Sequence, residues 1–253
     1  MSLKISWKHA LLAAVALTGI ILVLMQAPIP QSQEYHHFAD EQQFFGIPHF
    51  RNVMSNVPFI IAGTWGIVFL LRTRKPSNLD TGSLVFFFGI LLTAFGSVWY
   101  HLHPDNHTMV WDRLPMTIAF MAFFSVLIRE CLDVQTGNKL LWPLLFLGLL
   151  SVCYWQMTEQ RGQGDLRFYF LVQFLPMFLI PLILLLFKSR GLPNVYFWLV
   201  LLAYVIAKVF ELKDAEVFDA TGISGHTIKH LVAAIAPLIY LAGLKSRRPS
   251  KTH

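Results

Sequence analysis

The stretch GHTIKHLVAAIAPLIYLAGL, residues 225–244, joins two histidines to an apolar run of membrane-spanning length. A helix of about 17 to 25 apolar residues crosses the hydrocarbon core of a bilayer. His226 and His230 stand four residues apart at the polar end of this run. Residues i and i+4 lie on one face of a helix, so both imidazoles can reach one metal ion. The stretch therefore predicts a transmembrane helix that contributes to a metal site near one membrane surface.

The rest of the chain has the same apolar character. Of its 253 residues, 55% are hydrophobic and 13% are charged, and its mean hydropathy is +0.56. This composition excludes a soluble globular domain and is typical of a polytopic membrane protein. We predict an all-α fold in which a seven-helix bundle follows an N-terminal hydrophobic anchor helix. The eight apolar runs are residues 10–25, 53–71, 83–100, 109–128, 140–155, 168–187, 195–210 and 228–244.

The first apolar run has the flanks of a signal sequence. Lys4 and Lys8 precede it, and QAPIP at 26–30 follows it. No clear A-x-A cleavage site is present, which favours a retained anchor over a cleaved signal peptide. The predicted segments are an anchor and linker at 1–34, a seven-helix membrane domain at 35–245 and a basic cytoplasmic tail at 246–253.

Cationic side chains cluster in alternate loops if every run spans, which is the positive-inside pattern. The net charge of +6 therefore indicates membrane orientation, and we expect no nucleic-acid partner. We expect cytoplasmic termini and a histidine layer on the outer side, which is periplasmic if this short chain belongs to a bacterial inner membrane. The oligomeric state stays open. The inner-loop cations are Lys4, Lys8, Arg72, Arg74, Lys75, Arg129, Lys139, Lys188, Arg190, Lys245, Arg247, Arg248 and Lys251.

Polar residues surround the start of the second run. The loop at 34–43 contains histidines and the acids Asp40 and Glu41, but it has no defined cation-ligand spacing, so we interpret it as a solvated loop at the membrane interface. Asn52, Ser55 and Asn56 lie on the first turns of the next helix. Such groups usually make interhelical hydrogen bonds, which favours a packing role for them.

Three helices that are remote in sequence bring polar side chains to one depth. Ser97 and His101 end one run, and Asp112 lies near the start of the next. His226 and His230 begin the last run on the same side of the membrane. Ionisable residues inside a span are costly unless they are paired, hydrated or bound to metal. This coincidence of depth predicts a site formed by these five residues.

Each residue also has a less specific interpretation. The histidine pair alone could be interfacial, and Asp112 could form a salt bridge with Arg113. Ser97 could be a helix-packing residue. His103 and His107 are weaker candidates for the site because they lie in a loop.

The ordered motifs resemble the alkaline ceramidase family and the wider group of seven-helix membrane hydrolases that includes adiponectin-receptor-like proteins. The resemblance extends from about residue 35 to 244. The matching patches are Ser97-x3-His101 with Asp112, the pair His226-x3-His230, and FRNVMSN at 50–56, which is similar to the family's aromatic-x-Asn-x-x-Ser-Asn pattern.

The resemblance implies a zinc ion held by His101, His226 and His230, and hydrolysis of the N-acyl amide bond of a ceramide-like lipid. Asp112 would then transfer protons between water and the departing amine, and Ser97 would donate a hydrogen bond to the oxyanion. The expected partners are the bilayer and an N-acyl lipid. Hydrolysis or the reverse synthesis, the acyl-chain length and the head group stay open.

One position departs from the animal members of the family, which bind calcium through an acidic segment and a glutamate before the first core helix. The corresponding residue is His49. Asp40 and Glu41 could substitute, but their spacing differs. Zinc is therefore the one cofactor that we predict, and whether calcium binds near Asp40 and Glu41 stays open.

Two further polar groups lie in the sixth and seventh runs. Lys208 and Glu211 can neutralise one another, and Glu211 or Asp214 could orient a ligand histidine. Pro176 and Pro181 could kink a helix and widen a cavity for lipid.

Two other function classes remain alternatives. A receptor or scaffold with a structural zinc site would not need Asp112 and Ser97 beside the metal. A metal or proton transporter would need ionisable residues along a path to the inner face, and the inner halves of these runs are almost entirely apolar.

Overall fold

The computed structural model describes residues 6–73 and 80–247, and eight spans in these ranges are long and apolar enough to cross a membrane. The protein is an all-α polytopic membrane protein, as predicted. A 3₁₀ turn, Gln33–His36, lies in the linker after the first helix. The α-helices are α1 (Trp7–Leu24), α2 (Phe50–Met54), α3 (Val57–Thr73), α4 (Thr81–Leu102), α5 (Asn106–Cys131), α6 (Val134–Gln160), α7 (Arg167–Leu186), α8 (Asn194–Leu212), α9 (Asp214–Thr221) and α10 (Gly225–Ser246).

Several helices start at a side chain that caps the backbone. The carboxylates of Asp80, Asp105 and Asp133 accept hydrogen bonds from the amides of Ser83, Thr108 and Thr136. The hydroxyl of Ser224 does the same for α10, where it accepts from the amide of Thr227 at 3.2 Å. Such caps satisfy amide groups that the first turn leaves unpaired. These caps fix the residues at which α4, α5 and α10 begin, and they therefore also fix the positions of the histidines on α4 and α10.

The helix boundaries differ from the predicted runs in two places. The second run is broken after Met54, so that α2 and α3 share one span. The seventh run ends at Leu212, and Asp214 begins the separate helix α9 rather than continuing α8. Both breaks lie beside the histidine cluster described below.

Glycines bring α4 and α5 into close contact. A Cβ atom on Gly96 would lie 1.9 Å from the carbonyl oxygen of Trp111, and one on Gly89 would lie 2.7 Å from the amide nitrogen of Ala119. No larger residue fits at such distances without moving a helix. Because Ser97 follows Gly96 and Asp112 follows Trp111, this contact sets the two predicted catalytic residues side by side.

The inner half of the bundle has an aromatic core. The rings of Phe86 and Phe87 pack against Tyr240 with centroids 5.4 and 5.7 Å apart, and the Tyr240 hydroxyl hydrogen-bonds the Ser83 hydroxyl at 2.5 Å. The outer half instead surrounds a cavity. Buried polar side chains lie at both ends of the bundle: the histidines at one end, and Asp80 and Glu130, which pair with Arg129 and Arg247, at the other.

Helix α1 lies at the edge of the bundle against α7. The Lys8 ammonium donates to the carbonyl of Leu186 at 2.8 Å, and Arg167 donates to the carbonyl of Gln26 at 2.7 Å. Residues 1–5, 74–79 and 248–253 lie outside the described ranges, and with them the cations Lys4, Arg74, Lys75, Arg248 and Lys251. The division at 1–34, 35–245 and 246–253 stays a prediction.

Candidate metal centre and lipid cavity

The structure brings three buried histidines together. His101 at the end of α4 is 0% exposed, and His226 and His230 at the start of α10 are 5% and 3% exposed. Their ring centroids lie 4.9 to 5.0 Å apart, and one ligand atom from each lies within 4.8 Å of the others. This spacing is suitable for one metal ion bound by three nitrogen atoms.

The His101 ring has two buried nitrogens without a hydrogen-bond partner in the part of the chain that the structure describes. Leaving a buried polar group unpaired costs about 1–3 kcal/mol. A metal ion that prefers imidazole would satisfy one of these nitrogens and relieve that cost. The donor set therefore fits such an ion.

The tautomer of His230 is set by a residue for which the sequence indicated only packing. The Ser55 hydroxyl donates its single proton to the carbonyl of Asn52 at 2.9 Å. Its oxygen lies 2.8 Å from Nδ1 of His230 and must therefore accept a hydrogen bond from it. This assigns the proton to Nδ1 and leaves the Nε2 lone pair for a metal. Asn52 also accepts from the Thr227 hydroxyl at 2.6 Å, so these polar groups do join helices, as predicted, and they join them at the site.

A charged network adjoins His226. The Lys229 ammonium lies 3.2 Å from His226 Nε2 and 3.2 Å from Glu211 Oε1, and Lys208 forms a second ion pair with the same carboxylate. The predicted Lys208–Glu211 pair is therefore present. Glu211 contacts His226 through Lys229 rather than directly. Asp214 accepts from the backbone amide of His226 at 2.9 Å and does not bond its ring.

Ser97 and Asp112 line one cavity with His230. The cavity has a volume of about 390 Å³, and its lower wall is apolar, with Phe120, Ile180 and other side chains from α4, α5, α7, α8 and α10. Pro176 of the predicted kinked helix also lines it, whereas Pro181 does not. The cavity is polar near the histidines and apolar farther into the bundle. This arrangement suits an amphipathic ligand with a long chain.

Asp112 has no ion-pair partner among the described residues, so the alternative of a salt bridge to Arg113 is wrong. The Arg113 guanidinium instead donates to Gln31 at 2.5 Å and stacks over the rings of Trp155 and Tyr169 at 4.4 and 4.7 Å. Neighbours on a helix point about 100° apart, which explains why the two side chains diverge.

The segment before α2 forms a cap over the site. Phe38 is 5% exposed, and its ring centroid lies 4.8 Å from that of His101 and 4.7 Å from that of His226. The Tyr35 phenol donates to Glu211 at 2.6 Å; partial burial and this carboxylate raise the pKa of Tyr35, so its hydroxyl stays a donor. His36 hydrogen-bonds the Tyr100 hydroxyl at 2.9 Å. Most of residues 34–43 are exposed, as expected of a solvated loop, whereas Phe38 and Asp40 are buried.

The acids in this segment have separate roles. Asp40 is buried, and its oxygens accept from Arg51 at 3.1 Å and from the amide of Gln42 at 3.0 Å, whereas Glu41 is exposed. Both oxygens of the Asp40 carboxylate therefore already bond to groups of the protein. His103 and His107 are exposed and stand apart from the histidine cluster.

Three neighbours of the cluster were not predicted from the sequence: Phe38, Tyr35 and Lys229. Phe38 and Tyr35 precede the bundle in a segment without helical periodicity. The sequence therefore contains no pattern from which their depth in the membrane could be predicted. Lys229 stands between the two histidines of α10, and its position was the one available signal.

Comparison with protein-family profiles matches residues 46–244 to the family described as ceramidase. No curated protein matches the chain. The matched range contains all three histidines, Ser97 and Asp112. The match agrees with the resemblance seen in the sequence motifs and spans most of the chain. The protein belongs to the ceramidase family.

Proposed function

We propose that this protein is a zinc-dependent intramembrane amidase that hydrolyses the N-acyl amide bond of ceramide-like sphingolipids to a sphingoid base and a fatty acid. The observation that supports this best is the buried cluster of three histidines, one of which, His230, lines a cavity of about 390 Å³ together with Ser97 and Asp112. Membership of the ceramidase family supports the same reaction.

His101, His226 and His230 would hold the zinc ion. Bound by three neutral imidazoles, zinc supplies a Lewis acid that lowers the pKa of water to about 7. The Ser55 hydroxyl orients His230, and Phe38 keeps bulk water away from the outer side of the cluster. A structural zinc site usually uses four protein ligands, and this cluster offers three.

Asp112 and Ser97 would perform the proton transfer and charge stabilisation. Asp112 accepts a proton from the attacking water and returns it to the nitrogen of the departing amine, so that the carboxylate is regenerated. The Ser97 hydroxyl donates a hydrogen bond to the amide oxygen as that oxygen gains negative charge. The close contact of α4 and α5 at Gly96 keeps the two side chains together.

We further propose that the site lies on the periplasmic side of a bacterial inner membrane. At the opposite end of the bundle lie Arg129, Arg190, Lys245 and Arg247, which supports a cytoplasmic assignment for that end.

Replacement of Asp112 by Asn tests the function. Asparagine keeps the size of the side chain but cannot take a proton at neutral pH. Asp112→Asn should retain about one zinc ion per chain, as expected for a three-histidine site, and should lose about a hundred- to ten-thousandfold in amide hydrolysis. The measurements are elemental analysis and turnover of a fluorescent N-acyl sphingoid lipid.

Asp219→Asn is the matched control, because Asp219 is exposed in α9 and should leave both quantities unchanged. Loss of zinc from Asp112→Asn would make Asp112 a ligand. A zinc-loaded wild-type protein that cleaves no N-acyl lipid would contradict the amidase, and a receptor or scaffold with a structural zinc site would replace it.

A further inference from the structure

Arg113 is a buried cation without a counter-ion. It is 7% exposed and lines the cavity, and no carboxylate lies within 4.0 Å of it in residues 6–73 and 80–247. One terminal nitrogen, Nη1, has no hydrogen-bond partner there. Guanidinium stays charged at any physiological pH, so burial cannot be relieved by loss of a proton. An unpaired buried charge of this kind is expensive.

The contacts that Arg113 does make hold it in place without cancelling its charge. Gln31 contributes a neutral carbonyl oxygen at 2.5 Å, and Trp155 and Tyr169 contribute ring faces. Cation–π contacts of this kind favour a guanidinium, but they leave its full positive charge. The arrangement resembles a pre-oriented binding group more than a completed ion pair.

The other charged groups of the wall balance one another, so the excess positive charge is that of Arg113. Lys208 and Lys229 both line the cavity, and they share the single carboxylate of Glu211. Together with Arg113 and Asp112, the wall contains three cations and two acids. Arg113 and Asp112 line the same cavity, so an anion bound by Arg113 would share that cavity with the amide that is cleaved.

We propose that the cavity accepts N-acyl lipids with an anionic group, a phosphate or a carboxylate, in the head group beside the amide, and that Arg113 is the counter-ion of that group. This inference rests on the amidase function proposed above. A neutral ceramide head group would leave Arg113 uncompensated. A bidentate contact from guanidinium to phosphate or carboxylate would satisfy both its charge and Nη1.

The test compares three lipids with the same acyl chain: a neutral ceramide, the same ceramide with a phosphate on its primary hydroxyl, and an N-acyl amino acid with a free carboxylate. Wild-type protein should show a higher kcat/KM for one or both anionic lipids than for the ceramide. A hydrogen bond to a charged group contributes about 1.5–3 kcal/mol, which corresponds to a preference of about ten- to a hundredfold. The two anionic lipids show whether phosphate or carboxylate is the natural group.

Arg113→Gln should abolish this preference by lowering kcat/KM for the anionic lipids alone, and Arg113→Lys should restore part of it. Arg161→Gln is the matched control: Arg161 is exposed at the end of α6, and its loss changes the net charge equally without touching the cavity. Zinc content and melting temperature of each variant establish that it is folded. Because every substrate releases the same fatty acid, a role of Arg113 in holding the product carboxylate would affect all of them equally.

Two results would overturn the inference while the amidase stands: equal turnover of neutral and anionic lipids by the wild type, or an equal loss for all lipids in Arg113→Gln. If no lipid is cleaved, the amidase fails and binding decides the inference. In that case, displacement of a fluorescent fatty-acyl probe measures the binding of each lipid. The proteins compared are Asp112→Asn and the double variant that carries both Asp112→Asn and Arg113→Gln. Equal affinities for neutral and anionic lipids would again contradict the role of Arg113.

Discussion

The hydroxyl of Ser55 decides which nitrogen of His230 faces the cluster. It donates its proton to the carbonyl of Asn52 and accepts the Nδ1 proton of His230, at 2.9 and 2.8 Å. A partner of this kind fixes the ring orientation and raises the basicity of the other nitrogen. Ser55 would therefore act on a bound metal ion through His230, without contacting the ion itself.

Ser55→Ala should weaken zinc binding by about ten- to a hundredfold, as is usual when a group that orients a ligand is removed. The mutant should still bind about one ion at saturating zinc, since three ligands remain. Competition with a zinc chelator measures the affinity. Ser151→Ala is the control, because the Ser151 hydroxyl bonds only its own helix at the carbonyl of Gly148, 2.7 Å away. An unchanged zinc affinity in Ser55→Ala would show that this hydrogen bond does not tune the site.

The pairing of helices α4 and α5 depends on Gly96, which leaves no room for a side chain against the carbonyl of Trp111. Ser97 and Asp112 flank this contact. Separation of the two helices would therefore move the two proposed catalytic groups apart. Stability and activity are linked at this crossing.

Gly96→Ala should lower the unfolding free energy by about 1–3 kcal/mol or more, because overpacking forces the backbone to shift. It should also reduce amide hydrolysis, because Ser97 on α4 and Asp112 on α5 would move apart. Thermal unfolding in detergent and turnover measure these effects. Gly19→Ala is the control, since a Cβ there would meet only the end of the Leu175 side chain, at 3.0 Å. A fully stable and active Gly96→Ala protein would mean that α4 and α5 can separate without consequence.

The depth of the histidines could be predicted from the sequence, whereas the cap could not. Helix periodicity and alternating spans put His101, His226 and His230 at one level, because these rules need only spacing and hydropathy. Phe38 covers the cluster through packing between segments remote in sequence, which no local pattern encodes. The break before Asp214 was missed for a related reason: its carboxylate caps α10, and that bond depends on the folded arrangement.

At the scale of the whole molecule, the distribution of charge predicts its orientation in the membrane. The exposed residues Gln42 and Asp219 lie at the end that contains the histidines, and Lys245 lies at the opposite end. From the positive-inside rule we expect Lys245 to lie in the cytoplasm.

Cysteines introduced at positions 42 and 219 should react with an impermeant maleimide in intact cells, and a cysteine at 245 should react only after permeabilisation. The two natural cysteines are free, with Cys131 buried and Cys153 exposed, so a Cys153→Ser background limits unwanted labelling. Labelling at 245 but not at 42 in intact cells would reverse the orientation.

The linker between α1 and α2 has a consequence for how substrate reaches the site. Ile29, Gln31 and Tyr35 line the outer end of the cavity, and aromatic side chains such as Phe86 and Phe123 line its inner end. We therefore predict that a lipid enters sideways from its own leaflet, by diffusion in two dimensions. We expect the rate of hydrolysis to follow the mole fraction of substrate among the membrane lipids. Dilution of the same vesicles into a larger volume of water should leave the rate per enzyme unchanged.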